Sequence, residues 1–372
     1  MALVTFFGCS TPDNSEPPAE LTDIQNPEPV YQLWSRDSGV GHAFGYFNIR
    51  PLVIDNRLLT IDVNGVVSEF DPEKGKILWS YETGLKTLAS LEGDRRSLVV
   101  TSSDGNLALF ELGDSSLRLL WKVNIKSEIR ARAVASGNRV FVRSVDGRLT
   151  ALDKSNGAVL WSANSRVPAL SLTGSSHPMV YDDLVISGFD DGKLVAFEVD
   201  TGAMVWEAVV TRPTGRSEIE RLVDLDGQFV IRDGVIYVSS YQGDLAAVAA
   251  ESGQVIWSRK FSSFKAMDID ENSLYLTDDR SHIWSVDRRT GSALWKQDVL
   301  NARKVTGPKL LADKLVVADL EGYVHWFEKQ DGNLVSRVDT TTIRYLSQPV
   351  TLGSTLFVQD SLGQLTALTQ KR

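Results

Sequence analysis

Residues 145–161, VDGRLTALDKSNGAVLW, decide the fold of this 372-residue chain because the same pattern returns along its length. The stretch holds an Asp-Gly turn, an alternating apolar run through Leu149 and Ala151, a second turn at Asn156-Gly157, and an apolar run that ends at Trp161. Two alternating runs joined by a turn rich in Asn, Asp and Gly are typical of a β-hairpin.

The spacing between the first glycine and the closing tryptophan is constant in most copies. Gly147 and Trp161 stand 14 positions apart, and the offset recurs at Gly65–Trp79, Gly192–Trp206, Gly243–Trp257 and Ser281–Trp295. The copy from Gly105 to Trp121 is two residues longer, and the copy at Gly322 has Ser336 in the tryptophan position. With a last copy at Gly363, the first turns occur eight times, 38 to 51 residues apart.

Each copy also has a pair of short apolar runs upstream of its hairpin, so each copy has four short strands. The apolar residues show no helical period. Repeats of about 40–45 residues with four strands are typical of propeller blades. Eight copies therefore predict an all-β fold, an eight-bladed β-propeller with four-stranded antiparallel blades.

The two ends of the chain predict how the ring closes. The copy that begins at Gly363 stops before its last strand, whereas Trp34 precedes the first copy without a hairpin of its own. We predict that the N-terminal strand with Trp34 completes the last blade, which removes exposed sheet edges. Seven of the nine tryptophans then share one structural position, where we expect each indole to pack between adjacent blades: Trp34, Trp79, Trp121, Trp161, Trp206, Trp257 and Trp295.

Composition narrows the range of partners. The net charge of −9 argues against a nucleic acid held by phosphate contacts, so no nucleic-acid partner is predicted. The chain has no apolar stretch of the ~20 residues that a membrane-spanning helix needs.

The single cysteine, Cys9, follows a short apolar segment, MALVTFFG. This arrangement resembles the lipobox of bacterial lipoproteins, although Phe6 and Phe7 are bulky for that motif and no basic residue precedes the segment. We predict three segments: residues 1–9, the remnant of a lipoprotein signal that ends at a lipidated Cys9; residues 10–29, a flexible, acidic, proline-rich tether; and residues 30–372, the propeller.

The chain shows no motif for catalysis, cofactor binding or metal binding, and none of these is predicted. The glycine-rich stretch SGVGHAFG lacks a following helix, and the histidines at 42, 177, 282 and 325 belong to different copies. The acidic pairs Asp182-Asp183, Asp190-Asp191 and Asp278-Asp279 are expected at turns.

Two connections between copies are longer than the others, and functional residues collect on such loops. The first contains ANSRVPALSLTGSSHP, with Leu170 and Leu172 among small polar residues. The second contains TRPTGRSEIERLVDLDGQF, with five charged residues between positions 218 and 226. An apolar and an acidic loop from neighbouring blades predict a recognition surface, although a charged loop is more often simply solvated.

The repeat D-G-x-L-x-A-L-D-x-x-x-G-x-x-x-W resembles the repeat of pyrroloquinoline quinone (PQQ) propellers. Together with the lipoprotein-like start and the segment SEIERLVDLD, the chain resembles the BamB family of the outer-membrane β-barrel assembly machinery. The resemblance implies a non-enzymatic scaffold, anchored at the periplasmic face of the outer membrane, that binds the POTRA domains of BamA and, through BamA, the other subunits.

The residues that the resemblance implies for partner binding are Leu170, Leu172, Asp224 and Asp226, and we add Thr173 and Arg221. Many family members have arginine at the position of Thr173, so one charged contact of the family is missing here or is supplied elsewhere.

Two alternatives stay open. Quinoprotein dehydrogenases share the propeller but need the quinone, Ca²⁺ and a catalytic aspartate, and dye reduction with added quinone and Ca²⁺ would reveal such an enzyme. A scaffold that binds unfolded outer-membrane strands directly, by strand addition, is the other alternative.

Overall fold

The structure, a computed structural model, describes residues 16–41, 49–164, 176–212, 225, 229–340 and 344–370. These residues form 32 β-strands and no helix. The described residues therefore contain no helix that could cross a membrane.

The strands fall into eight sheets of four. The chain begins with β1 (Tyr31–Asp37). Blade one follows with β2 (Leu52–Ile54), β3 (Arg57–Ile61), β4 (Val66–Phe70) and β5 (Ile77–Glu82). Blade two has β6 (Glu92–Gly93), β7 (Ser97–Thr101), β8 (Asn106–Leu112) and β9 (Leu117–Asn124). Blade three has β10 (Val134–Ser136), β11 (Arg139–Arg143), β12 (Arg148–Asp153) and β13 (Val159–Asn164). Blade four has β14 (Met179–Tyr181), β15 (Leu184–Gly188), β16 (Lys193–Glu198) and β17 (Met204–Val209).

The second half of the ring repeats this arrangement. Blade five has β18 (Val230–Arg232), β19 (Val235–Ser239), β20 (Asp244–Ala249) and β21 (Val255–Lys260). Blade six has β22 (Asp268–Ile269), β23 (Ser273–Thr277), β24 (Ile283–Asp287) and β25 (Ala293–Gln297). Blade seven has β26 (Lys309–Leu311), β27 (Lys314–Ala318), β28 (Tyr323–Glu328) and β29 (Leu334–Asp339). Blade eight has β30 (Val350–Leu352), β31 (Thr355–Gln359) and β32 (Gln364–Thr369).

The eighth sheet joins the two ends of the chain. Its strand order is β1-β32-β31-β30, and Trp34 on antiparallel β1 lies opposite Ala367 on β32. The eight-bladed propeller and its closure by the N-terminal strand are both confirmed.

The core lies between blades. The two middle strands of each blade are buried, whereas the fourth strand alternates between exposed and more buried residues. In β12, for example, Leu149 to Leu152 are buried, whereas only alternate residues of β13 face inward. One buried cluster joins Trp34 of blade eight to Leu58 and Phe70 of blade one. Each blade therefore buries its apolar face only against its neighbours, as in other repeat architectures.

The repeated tryptophan and glycine form the contact between successive blades. The Trp161 Nε1 atom of blade three donates a hydrogen bond to the Val199 carbonyl in blade four, 3.0 Å away. A Cβ atom at Gly202, in the same turn of blade four, would lie 2.5 Å from the Trp161 ring. The positive φ of 71° at Gly202 also favours glycine. The expected interblade position of the indoles is confirmed.

Two copies depart from this contact where their sequences depart from the repeat. Blade two has longer hairpin strands, β8 of 7 residues and β9 of 8, and Trp79 of blade one donates to Glu69 of its own blade at 2.6 Å. In blade seven, Ser336 occupies the tryptophan position opposite Trp326, and its hydroxyl donates to the Glu28 carbonyl at 2.6 Å.

Residues 16–29, the described part of the predicted tether, lie along blade seven. The Ala19 backbone N–H donates to the Asn301 carbonyl at 2.9 Å, and the Glu28 N–H donates to the Val335 carbonyl at 3.0 Å. The Glu28 carboxylate lies 3.1 Å from Lys314 Nζ. Flexibility of the tether stays a prediction, but residues 16–29 have defined partners on the propeller.

Candidate interaction face

One face of the ring carries every connection from an outer strand to the first strand of the next blade. These connections bond to the turn between the second and third strands, which lies on the same face. The Thr83 N–H donates to the Gly65 carbonyl at 3.0 Å, and the Val145 N–H donates to the Glu128 carbonyl at 3.0 Å. We call this side of the propeller the connection face.

The described ends of the two long connections lie on the connection face, on either side of blade four. The first runs from Asn164 at the end of β13 to Ser176 before β14, and the second from Arg212 after β17 to Phe229 before β18. The predicted partner-binding residues and Cys9 all lie outside the described residues: Leu170, Leu172, Thr173, Arg221, Asp224 and Asp226. Their roles stay predictions, and what the structure describes is the base of each connection.

The base of the first connection is held by a buried ion pair between blades three and four. Arg143, only 1% exposed, pairs with Asp190, and its guanidinium carbon lies 5.2 Å from the centre of the Phe189 ring. The Ser176 hydroxyl donates to the Gly188 carbonyl at 2.9 Å. Asp190 lies in a turn, as expected of the acidic pairs, and it also fixes the point where the first connection enters blade four.

The base of the second connection is apolar. Leu225 and Phe229, each 1% exposed, belong to the cluster between blades four and five. Leu225 stands between Asp224 and Asp226 in the sequence, and the Phe229 ring stacks on the His177 ring with centroids 5.8 Å apart. Because Ser176 and His177 precede blade four and Phe229 precedes blade five, the two long connections end on one shared base.

The described histidines have packing and hydrogen-bonding roles, and His42 lies outside the described residues. Burial lowers the pKa of His177 well below its usual range, and Arg132 and Arg50 lower it further. His325 is fully buried, and its Nε2 atom lies 3.0 Å from Asp319 Oδ2.

A cavity of about 390 Å³ between blades five and six contains His282. Its Nδ1 atom lies 2.8 Å from Asp278 Oδ2, and its Nε2 atom lies 3.0 Å from Asn301 Oδ1. Both ring nitrogens therefore have protein partners. In the part of the chain that the structure describes, no three His, Cys, Asp or Glu side chains meet in a way that could hold a metal ion.

Known proteins share the repeat and the eight-bladed ring. A family model described as "Outer membrane protein assembly factor BamB" matches residues 63–297 and 285–372. A relative of that name from Yersinia pestis is 31% identical, with 100% of this chain and 97% of the relative covered. The chain belongs to the BamB family.

Solved structures agree with this assignment. The crystal structure of BamB from Moraxella catarrhalis is 25% identical and has a TM-score of 0.81, covering 92% of this chain and 100% of that chain. A quinohemoprotein alcohol dehydrogenase from Comamonas testosteroni has a TM-score of 0.72 at 12% identity, covering 93% of this chain and 77% of that chain. A likeness at identity this low shows the common fold alone.

Four residues near the start of first strands were not predicted from the sequence. Arg50, Arg132, His177 and Gln348 each stand two positions before the first strand of a blade. The signal that would have found them is their equivalent position in the repeat. Because the side chain at this position differs from blade to blade, the repeat pattern does not reveal these residues.

Proposed function

We propose that this chain is a non-catalytic scaffold subunit of the machinery that inserts β-barrel proteins into the outer membrane. It binds the periplasmic POTRA domains of BamA through the two long connections that flank blade four. The single observation that carries the proposal is membership of the BamB family over essentially the whole chain, since the matching relatives are named outer membrane protein assembly factors.

The geometry of the connection face supports this surface. Both long connections leave the fold on the same face, and their ends share the base of Ser176, His177 and Phe229. A rigid base lowers the conformational entropy that two loops would otherwise lose when they bind one partner. In the proposed surface, the leucines of the first connection are the apolar anchors and the aspartates of the second belong to the polar rim around them, the usual anatomy of an energetic centre.

The test of the apolar anchor is co-purification of BamA with a double variant, Leu170→Ala with Leu172→Ala. Loss of two interface leucines can cost about 2 kcal/mol or more each, which is enough to abolish recovery of a moderately tight complex. The matched control is Val159→Ala with Leu160→Ala, which removes two apolar side chains that are 59% and 46% exposed on outer strand β13. The control should leave BamA recovery unchanged.

Retention of BamA by the leucine variant would contradict the proposed surface. A large fall in the melting temperature of that variant would instead identify the two leucines as core residues.

The acidic half of the surface has a different signature. Asp224→Ala with Asp226→Ala should weaken association most at low ionic strength, because exposed charges contribute mainly through long-range attraction. Binding that is equally weak from 50 to 500 mM salt would contradict an electrostatic role for these aspartates.

A second candidate function, capture of unfolded barrel strands, is supported by the outer strands. Each outer strand is hydrogen-bonded to only one other strand of its sheet, and only on β29 do residues 16–29 contact the second edge, through Glu28 and Val335. Exposed apolar residues such as Ile77, Leu78, Met204 and Val205 lie on the outer strands, between 45% and 62% exposed. Such edges can accept an added strand. The Val159/Leu160 variant separates the two functions, because it would weaken crosslinking to an unfolded barrel protein while leaving BamA bound.

We further propose that a lipid on Cys9 holds the connection face towards the periplasmic face of the outer membrane. The Glu16 carboxylate accepts a hydrogen bond from Asn301 at 2.8 Å, in the connection between blades six and seven. Cys9 stands seven residues before Glu16. A fully extended chain of that length spans at most about 25 Å.

A further inference from the structure

The first strands of the eight blades surround the axis of the ring, where neighbouring first strands contact each other. The residue two positions before each first strand lies at the mouth of this channel on the connection face. The described members of this set are Arg50, Ser90, Arg132, His177, Ala266, Gly307 and Gln348. We call this set the axial ring.

Charge in and next to the axial ring is unbalanced. Arg132 Nη1 lies 2.9 Å from Glu92 Oε2, and Lys309 Nζ lies 2.8 Å from Asp268 Oδ2. Arg50 forms no ion pair with any carboxylate of the described residues, and its Nη1 atom donates to the neutral Gln348 Oε1 at 3.1 Å. Three cations therefore face two carboxylates, in a chain whose net charge is −9.

The geometry around Arg50 is fixed by the backbone of neighbouring blades. Gln348 Nε2 donates to the Pro308 carbonyl at 2.5 Å, which turns the Gln348 carbonyl oxygen towards Arg50. The Arg50 backbone N–H donates to the Ser90 hydroxyl at 2.9 Å. Residues of blades one, two, seven and eight thus hold Arg50 in place without neutralising the charge of its guanidinium group.

A cavity of about 200 Å³ adjoins these groups. Arg50, Arg132, Lys309 and Gln348 form its polar side, and Leu52, Leu91, Pro349 and Val350 lie on its apolar side. The Nε atom of Arg132 is buried and has no hydrogen-bond partner among the described residues. Burial, reinforced by repulsion from Arg132, lowers the pKa of Arg50 to about 9, so the group is still charged at neutral pH.

We propose that this axial cavity binds a small organic carboxylate. The carboxylate accepts hydrogen bonds from the free N–H groups of Arg50 and Arg132, and an apolar body of the ligand packs on Leu52, Leu91 and Val350. A planar guanidinium matches a carboxylate with two parallel hydrogen bonds, which a lysine or a neutral amide does not supply. The proposal is independent of the docking surface beside blade four.

The test uses the full chain with benzoate as the probe and benzamide as its neutral analogue of nearly the same shape. Titration calorimetry in low-chloride buffer should detect benzoate binding to the unchanged protein, and benzoate should raise its melting temperature. Benzamide should do neither. Arg50→Gln should weaken benzoate binding at least tenfold, because the charge and the paired donors are lost together.

The control variant is Arg289→Gln, which removes an arginine whose side chain is 79% exposed on the outside of blade six. Its affinity for benzoate should equal that of the unchanged protein. Arg50→Lys keeps the charge without the planar pair of donors and should bind benzoate with intermediate affinity. If Arg50→Gln fails to fold, the Arg50→Lys variant and the comparison of benzoate with benzamide still decide the question.

Three results would overturn the proposal: no benzoate binding, equal binding of benzoate and benzamide, or undiminished benzoate binding by both Arg50 variants. Inorganic phosphate serves as a second probe. Phosphate binding that excludes benzoate would show that the cavity selects an inorganic anion, which also contradicts an organic carboxylate.

Discussion

Replacement of Trp34 by alanine tests the closure of the ring most directly. Trp34 lies on the N-terminal strand β1, is 5% exposed, and stacks on Phe70 of blade one with ring centroids 6.4 Å apart. Its Nε1 atom donates to the Pro72 carbonyl at 3.0 Å, and its ring lies 5.8 Å from Phe357 of blade eight. One side chain thus joins the two ends of the chain to the first blade.

The expected loss follows from these contacts. Truncation of a buried tryptophan to alanine costs about 3–5 kcal/mol in transfer free energy and cavity formation. We expect the upper half of that range, because the Pro72 carbonyl also loses its donor. Trp34→Phe keeps much of the apolar volume without the N–H group, so its loss should be smaller.

The assay is equilibrium unfolding in urea, followed by far-UV circular dichroism so that loss of an indole does not alter the signal. Leu33→Ala is the matched control, since Leu33 is the preceding residue of β1 and is 46% exposed. Its free energy of unfolding should change by no more than about 0.5 kcal/mol. Hydrogen exchange of the β31 and β32 amides should rise in Trp34→Ala, because blade eight loses the part of its contact with blade one that the indole forms.

Equal unfolding free energies for Trp34→Ala and Leu33→Ala would refute this account of closure. Such a result would mean that strand pairing between β1 and β32 closes the ring without the indole.

Three further predictions concern other parts of the molecule. Gly202→Ala should destabilise the protein by about 2–4 kcal/mol, because alanine disfavours the positive φ and its Cβ clashes with the neighbouring indole. Gly137→Ala should cost only about 1 kcal/mol, because Gly137 also has a positive φ, 54°, but nothing lies within 4 Å of a new Cβ. Equal losses of stability in the two variants would contradict the clash. Burial lowers the pKa of His325, so as the pH falls below about 6.5 the histidine binds a proton in the unfolded state before it does so in the folded state. The free energy of unfolding should therefore fall by up to about 1.4 kcal/mol per pH unit. A pH slope that is the same in His325→Gln would contradict this prediction. Metabolic labelling with a palmitate analogue should be lost in Cys9→Ala, and labelling that survives would refute the lipid anchor.

The amino-acid sequence by itself determined the architecture. Blades one to seven are each a local unit of four hairpin-linked strands that contacts only its neighbours, so one repeated pattern of Gly and Trp specifies most of the interfaces. The missing last strand after Gly363 and the unaccompanied Trp34 were sufficient to predict closure. Even the departures were visible, since the longer hairpin after Gly105 and the serine at position 336 mark the two places where the interblade contact differs.

Only the tertiary structure decided which side chains lie together at the axis of the ring and which groups of blade seven hold residues 16–29. Arg50, Arg132 and Gln348 are separated by 82 and 216 residues in the sequence and share no motif, yet ring closure brings equivalent positions of the repeat around one channel. The path of residues 16–29 along blade seven was equally hidden. The propeller groups that hold it, such as the Asn301 and Val335 carbonyls and the Lys314 side chain, come from separate strands and connections and share no sequence motif. Local patterns specify contacts between neighbours, whereas the geometry of closure determines which distant side chains share a site.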